Sequence, residues 1–359
     1  DPSGARTSYQ YDLSGREVLR SGSDNTRVTT QYDSIGRRIA MIDGDGQYSY
    51  RWNSGNQLTS VVDYADRITT YTYDEVGRHI SVDSPVAGPV TYSYDVDGNV
   101  SVIDAAGTGP TTITYDEISL PITRTYPNGV RTSYLFDPAA QLTSITHRDG
   151  DGVLLSNYEY ASDAAGNRTA VNDSVGGRAT WTYDALGQVL SEQRSEGSGS
   201  STTYTYDSRR NMTRCSQNAS VTSLVYDMAN QLQTATSNIG ITTYSYDADG
   251  NVTGRVTPSV GRTTYQWSAA NQLVGVVDTD GNRSTYTYSG DGLRTHGEGG
   301  DDPVEFVWSG QQLQATLDSE GVAFTTYTNE PNEYGSVVSQ TSGSTLYFLY
   351  DALSATRLL

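Results

Sequence analysis

Three acidic turns carry the residue types a divalent cation needs. DVDGN at 95–99, DADGN at 247–251 and DTDGN at 278–282 each place two aspartates one residue apart and follow them with Gly-Asn. Carboxylates at that spacing open an EF-hand calcium loop, which also needs a Glu at position twelve. Counted from Asp95, Asp247 and Asp278, that position holds Ala106, Pro258 and Ser289. Asp95, Asp97, Asp247, Asp249, Asp278 and Asp280 are therefore weak surface calcium candidates. The same residues are also what a tight turn requires, because Asp bonds its own backbone two residues on and Gly takes φ > 0 cheaply. No other metal and no cofactor is expected.

Groups able to do covalent chemistry are scattered. His79, His147 and His296 lie far apart, with no local motif joining them. Cys215 follows Arg214, a cation that favours a thiolate, but no His stands near it in sequence. A sole cysteine also rules out an intrachain disulfide and a Cys-based metal cluster. Nothing points to a Ser-His-Asp arrangement, and the expectation is a protein without catalytic residues. Asn-x-Ser/Thr triplets stand at Asn99, Asn167, Asn172, Asn211, Asn218, Asn251 and Asn282; several simply fall out of a recurring Gly-Asn phrase, and those read as turn chemistry.

The chain has 359 residues and a net charge of −19, with every basic residue an Arg. That balance disfavours nucleic acid and anionic membrane surfaces, whose phosphates it would repel. No apolar run approaches the roughly 20 residues of a membrane span. Apolar residues make up only 35%, and 28 Tyr stand against 4 Phe. Tyr suits a surface that is apolar along the ring and wet at the hydroxyl, so half-buried wall is expected in place of a deep dry core. The start, DPSGARTSYQYD, has neither Met nor a signal peptide and reads as a piece of something longer.

What must position these residues is a repeat. An aromatic marker stands before each turn, at Tyr11, Tyr32, Trp52, Tyr73, Tyr94, Tyr115, Phe136, Tyr160, Tyr183, Tyr206, Tyr226, Tyr246, Trp267, Tyr288 and Trp308, with a weaker match at Tyr327 and a clear one at Tyr350. Successive gaps are mostly 20 or 21 residues, stretching to 23 or 24 between Phe136 and Tyr206, which signals a repeat architecture of about seventeen units. Within a unit such as TTYTYD at 202–207, aromatic and β-branched residues alternate with period two, the pattern of a strand with both Tyr rings on one face. Asp ends the strand, the turn follows, and a second short strand returns. Each unit is thus a β-hairpin that cannot bury its apolar face alone. The fold class expected is all-β, with tandem hairpins side by side in one long antiparallel strip. Trp52, Trp267 and Trp308 sit at the marker, which assigns them to packing; Trp181 lies off it.

These residues resemble the YD repeats of the Rhs family, which also occur in teneurins and in the cocooning subunits of insecticidal toxin complexes. The resemblance rests on Tyr11-Asp12, Tyr32-Asp33, Tyr73-Asp74, Tyr94-Asp95 with Gly98, Tyr115-Asp116, Tyr183-Asp184, Tyr206-Asp207, Tyr226-Asp227, Tyr246-Asp247 with Gly250, and Tyr350-Asp351. It implies that the strip spirals into a hollow shell. It divides the chain into a repeat array at 1–332 and, at 333–359, the truncated start of an Rhs core-associated region, where the family's YDALGSTR stands here as YDALSATR with Ser354 and Ala355. Family members that carry toxins continue to an Asp-based self-cleavage site and a variable C-terminal toxin. The expected role is a non-catalytic wall segment of a secreted or cell-surface protein that encloses or presents a C-terminal cargo. Its partners are then that cargo or the remaining repeats of the parent chain. The alternative is an extracellular adhesion scaffold, carbohydrate-binding or self-associating end to end through open strand edges.

Overall fold

A computed structural model describes residues 4–299, 303–331, 336–350 and 356–358. Among them are 34 strands, from β1 (Thr7–Tyr11) to β34 (Thr356–Leu358), numbered here in chain order, and no helix. Each strand pairs antiparallel with the next, so the sheet is one continuous meander. Asp351, Ser354 and Ala355 lie outside the described residues.

The marker turn has one recurring geometry. At Asp95 the backbone N–H donates to the Asn99 carbonyl at 2.9 Å, and the Gly98 N–H donates back to the Asp95 carbonyl at 3.2 Å. Asp95 Oδ1 accepts the N–H groups of Asp97 (3.0 Å) and Asn99 (2.8 Å), while Oδ2 accepts the Asn99 side-chain amide at 3.1 Å. Gly98 takes φ 90°, the left-handed residue that closes a three-residue hairpin loop. The same bonds to residues two and four ahead recur at Asp12, Asp33, Asp74, Asp116, Asp184, Asp207, Asp227 and Asp247. The Asp of the repeat is therefore the acceptor that terminates each strand.

From Tyr11 to Trp308 every marker but Tyr160 also sits at a β-bulge, whereas Tyr350 pairs with Thr356 in unbroken register. Tyr73 pairs with His79 and Thr72 with Ser81, leaving Ile80 as an extra residue. The marker ring then reaches into the preceding hairpin. The hydroxyls of Tyr32, Tyr73, Tyr94, Tyr115, Tyr183, Tyr206, Tyr246 and Tyr288 donate to the carbonyls of Glu17, Leu58, His79, Val100, Arg168, Val189, Leu232 and Leu273 at 2.5–3.1 Å. Trp52, Trp267 and Trp308 do the same through Nε1, to Arg38, Val252 and Arg294 at 2.7–2.8 Å. In every case the acceptor is the residue paired with the previous marker. Tyr and Trp share an apolar ring and a polar N–H or O–H tip, which is why they alternate at this position and Phe is nearly absent.

Two markers read from the sequence are displaced by two residues. The bulge in β15 (Leu154–Ser162) falls between Ala161 and Ser162, so Ser162 holds the marker position and Tyr160 does not. In β31 (Ala323–Asn329) it falls between Thr328 and Asn329. Asn329 takes the marker role there in place of Tyr327, donating through Nδ2 to the Leu313 carbonyl at 2.9 Å. Asn supplies the donor without the ring, a substitution that an aromatic search cannot see.

The strip coils back on itself. Residues near 290–349 pack on residues near 20–130, as in the Tyr71–Ser309 hydroxyl contact, 238 positions apart. At about 21 residues per hairpin, one turn takes about eleven hairpins. Roughly 22 strands spaced about 4.8 Å apart give a turn of about 105 Å, or about 35 Å across if circular. The accessible surface is 19856 Å², against roughly 14,000 Å² for a compact monomer of 38.9 kDa. The excess is that of a hollow wall.

In the overlap the first pass offers its marker face and the second pass its opposite face. Tyr71, Val82, Tyr92, Ile103 and Ile113 of the first form one buried cluster with Val338, Tyr347 and Leu349 of the second. Bulge residues register the difference. Ile39, Ile80 and Ile122, on the first pass, are exposed, whereas Thr295, Gln314 and Val338, on the second pass, are buried.

Because the marker donor fixes one hairpin to the last, Tyr94→Phe is expected to cost about 1 kcal/mol, the net worth of one hydrogen bond. Phe136 lacks the donor, and the corresponding acceptor is Pro121, paired with Tyr115. Phe136→Tyr should gain up to about 1 kcal/mol. Urea midpoints of both variants, with hydrogen exchange to localise the effect, check this; equal midpoints would remove the role assigned to the ring donor.

Candidate functional site

Two features of the wall position side chains for function: the turn edge and the seam between passes. Along the turn edge, an Arg four residues after the Asp ties neighbouring hairpins together. Arg16, Arg37 and Arg78 each donate Nε to the Asp of their own turn at 2.6 Å. Each guanidinium also lies over the next marker ring, at 4.7 Å from Tyr32, 5.9 Å from Trp52 and 4.3 Å from Tyr94. Where Asn replaces Arg, the link becomes amide-mediated, as from Asn211 to Asn230 at 2.9 Å. The side-chain amide and backbone N–H of Asn211 hold the Asp207 carboxyl below the ordinary carboxylate range.

The calcium candidates divide between two edges. Asp95 and Asp247 lie in marker turns, but Asp278 caps β26 (Leu273–Val277) at the other end of the strands, with the same local bonds. Their Oδ1 atoms accept turn N–H groups and their Oδ2 atoms the Asn side chain. Asp97, Asp249 and Asp280 donate their backbone N–H to these carboxylates. Among the described residues no three His, Cys, Asp or Glu groups come together as a metal site.

The three histidines are not brought together. His79 lies against the rings of Tyr71 and Tyr73. His296 stands 3.3 Å from the Tyr64 hydroxyl and 3.9 Å from Asp45. His147 is fully buried, its Nδ1 2.9 Å from Thr132 Oγ1 and its Nε2 without a partner among the described residues. Cys215 is half-buried and faces Tyr204 across the ladder.

The seam is polar, and nothing in the sequence pattern marks it, because its partners are more than 200 residues apart. Arg38 and Asp291 form a bidentate pair at 2.7 and 2.8 Å. Arg67 bridges Asp63, at 2.7 Å, and Glu305, which also accepts the Tyr64 hydroxyl. Burial pushes the Glu305 carboxyl up, but the bonds from Arg67 and Tyr64 outweigh it and hold the group below its ordinary value. Arg124 pairs with Glu330, and both are largely buried. Gly290 sits so close to the first pass that a Cβ would lie 2.7 Å from Val28 Cγ1 and 2.9 Å from Met41 Sδ.

This geometry, a tyrosine-marked hairpin meander coiled upon itself, is found in known proteins. The Teneurin YD-shell family model matches residues 3–175 and 167–295. The chain belongs to the Teneurin YD-shell family. Among solved structures, the YD-shell chain resembles TcdB2-TccC3-TEV at 15% identity and a TM-score of 0.58, covering 99% of this chain and 24% of that one. It also resembles TcdB2-TccC3 at 14% and 0.57, covering 99% and 25%. TcdB2-TccC3 without its hypervariable C-terminal region matches at 15% and 0.56, covering 98% and 24%. At such identities the likeness is one of fold, and this chain spans about a quarter of the solved chains. No curated protein matches the sequence.

Two predictions follow from the buried groups. Burial lowers the His147 imidazole to about 4. The unfolded chain therefore binds the proton first as pH falls, so stability is fully present above about 6.5 and is lost progressively toward pH 4, by about 3 kcal/mol at most. His147→Gln should flatten the pH dependence of the unfolding midpoint across that window; an unchanged slope would remove this assignment. Glu330→Gln leaves Arg124 buried beside a neutral partner and should weaken the seam by about 3 kcal/mol. Hydrogen exchange should then speed up in β33 (Ser344–Tyr350) but not in β21 (Ser220–Tyr226).

Proposed function

We propose that this chain is part of the wall of a secreted or cell-surface YD-repeat shell that encloses or presents a C-terminal cargo. The observation that carries this reading is the coil itself: a single-layer strip with a large excess of surface, closed by a seam. Such a wall acts physically, by keeping a segment inside it from proteases and from folding partners outside. No residue is assigned a catalytic role. Residues 333–359 are read as the start of the core-associated region leading toward the cargo. The relative crystallised without a hypervariable C-terminal region supports a variable segment in that place.

The remaining repeats of the parent chain are the second partner in this reading. Turns of the second pass seat on the first, as where the Gly290 N–H donates to Asp43 Oδ2 at 2.6 Å. The corresponding turns of the first pass present Leu13, Ile35, Val76, Val96 and Ile118 to solvent in a row. A further pass of the same strip would cover that row as the second pass covers the first.

Mass spectrometry of the full native polypeptide, combined with limited proteolysis, tests the proposal. The expected result is a C-terminal fragment that co-purifies with the wall and resists protease until the wall is unfolded. A parent chain with nothing retained inside would favour the adhesion-scaffold reading instead.

A further inference from the structure

Arg131 opens β13 (Arg131–Phe136) and Arg148 closes β14 (Leu142–Arg148), and the two stand directly opposite each other across the ladder. Both are exposed, while their neighbours Thr132 and His147 are 1% and 0% exposed and point the other way. Like charges placed directly opposite in a sheet repel and destabilise it. In the marker turns and along the seam this chain matches arginines with carboxylates. Among the described residues no carboxylate pairs with these two. Arg131 has no side-chain partner there, and Arg148 has the Gly152 carbonyl at 3.0 Å. Asp149, adjacent in sequence, uses Oδ1 for the N–H groups of Asp151 and Val153. Glu159, on the next strand, takes the side-chain amides of Asn157 and Asn172. Hydroxyls flank the pair on the same face. Thr125 lies opposite Arg131, and Ser133 stands two residues on from it. Neither hydroxyl has a hydrogen-bond partner among the described residues.

This arrangement selects its ligand by charge and by oxygen count. Two guanidinium forks side by side exclude a cation. A carboxylate saturates one fork and leaves the second charge unmet. A nucleic-acid strand offers one charge per phosphate, and a chain of net charge −19 repels the rest of its length. A phosphomonoester meets both requirements. It carries close to two negative charges at neutral pH and has three terminal oxygens. Those oxygens accept a fork from each arginine and a hydroxyl from Thr125 or Ser133. Its charge also removes the repulsion between the arginines. We propose that Arg131 and Arg148 form a clamp for one phosphomonoester group, carried either by a small molecule or by a phosphorylated side chain of a partner protein.

Isothermal titration calorimetry on the intact chain tests this with three ligands that share one ring: phenyl phosphate, phenyl sulfate and benzoate. Phenyl phosphate should bind about tenfold more tightly than either monoanion, or better. A peptide carrying one phosphotyrosine separates the two sources. Tighter binding than phenyl phosphate assigns the clamp to a partner's side chain; equal or weaker binding assigns it to a small phosphate. Arg131→Gln and Arg148→Gln should each weaken phenyl phosphate binding about tenfold. Arg51→Gln, at an exposed arginine on β5 (Gln47–Trp52), should leave it unchanged. Without ligand, the Arg131→Gln/Arg148→Gln double variant should unfold at the same urea concentration as the native chain or a higher one, because the repulsion is gone. A lower midpoint would make the pair structural. That result, equal binding of the three ligands, binding untouched by either single variant, or no binding of phenyl phosphate would overturn the proposal. The readout needs no cargo, so it stands or falls separately from the enclosure reading.

Discussion

The bond from a marker ring to a backbone carbonyl of the preceding hairpin, made by eight Tyr and three Trp among the described residues, is the interaction on which the rest of this wall depends. A single-layer sheet has little buried area per residue, so ordinary core packing cannot fix the angle between neighbouring hairpins. The ring donor does so by joining two bulges one repeat apart. A bulge bends and twists its strand, and repeating it at every hairpin on the same edge accumulates curvature in one sense. The aromatic composition follows: the position needs an apolar plate with a donor at its tip, which Tyr and Trp supply and Phe does not.

Curvature of this kind brings residues more than 200 positions apart into contact, and there the chain uses charge. The seam holds Arg38–Asp291, Arg67–Glu305 and Arg124–Glu330 as well as an apolar cluster around Ile103 and Leu349. Buried ion pairs contribute modest net stability, because desolvation offsets most of the attraction, but they penalise misregistered partners heavily. In a strip whose hairpins all look alike, a slip of one repeat would keep most apolar contacts and break the ion pairs. The three pairs thus fix which hairpin lies over which.

Much of the local structure was legible in the sequence because its causes are local. Period-two alternation gave the strands, and the Asp acceptor with Gly in the left-handed region gave the turns. The markers at Tyr160 and Tyr327 were misplaced by two residues. An aromatic two positions away lies on the same face and imitates the marker, while the residues actually in place, Ser162 and Asn329, lack the ring. The acidic turns that resembled calcium loops have their oxygens engaged by turn amides, a use of carboxylate that composition alone does not distinguish from metal binding.

By itself, then, the sequence determined an all-β hairpin array, its period, its turn chemistry and its unusual demand for tyrosine, since each is set by interactions within one or two repeats. Tertiary structure alone decided the number of hairpins per turn, the pairing of arginines with carboxylates across the seam and the burial of His147. Those depend on the summed twist of about eleven hairpins, a quantity in which small local angles accumulate and which no short stretch of residues encodes.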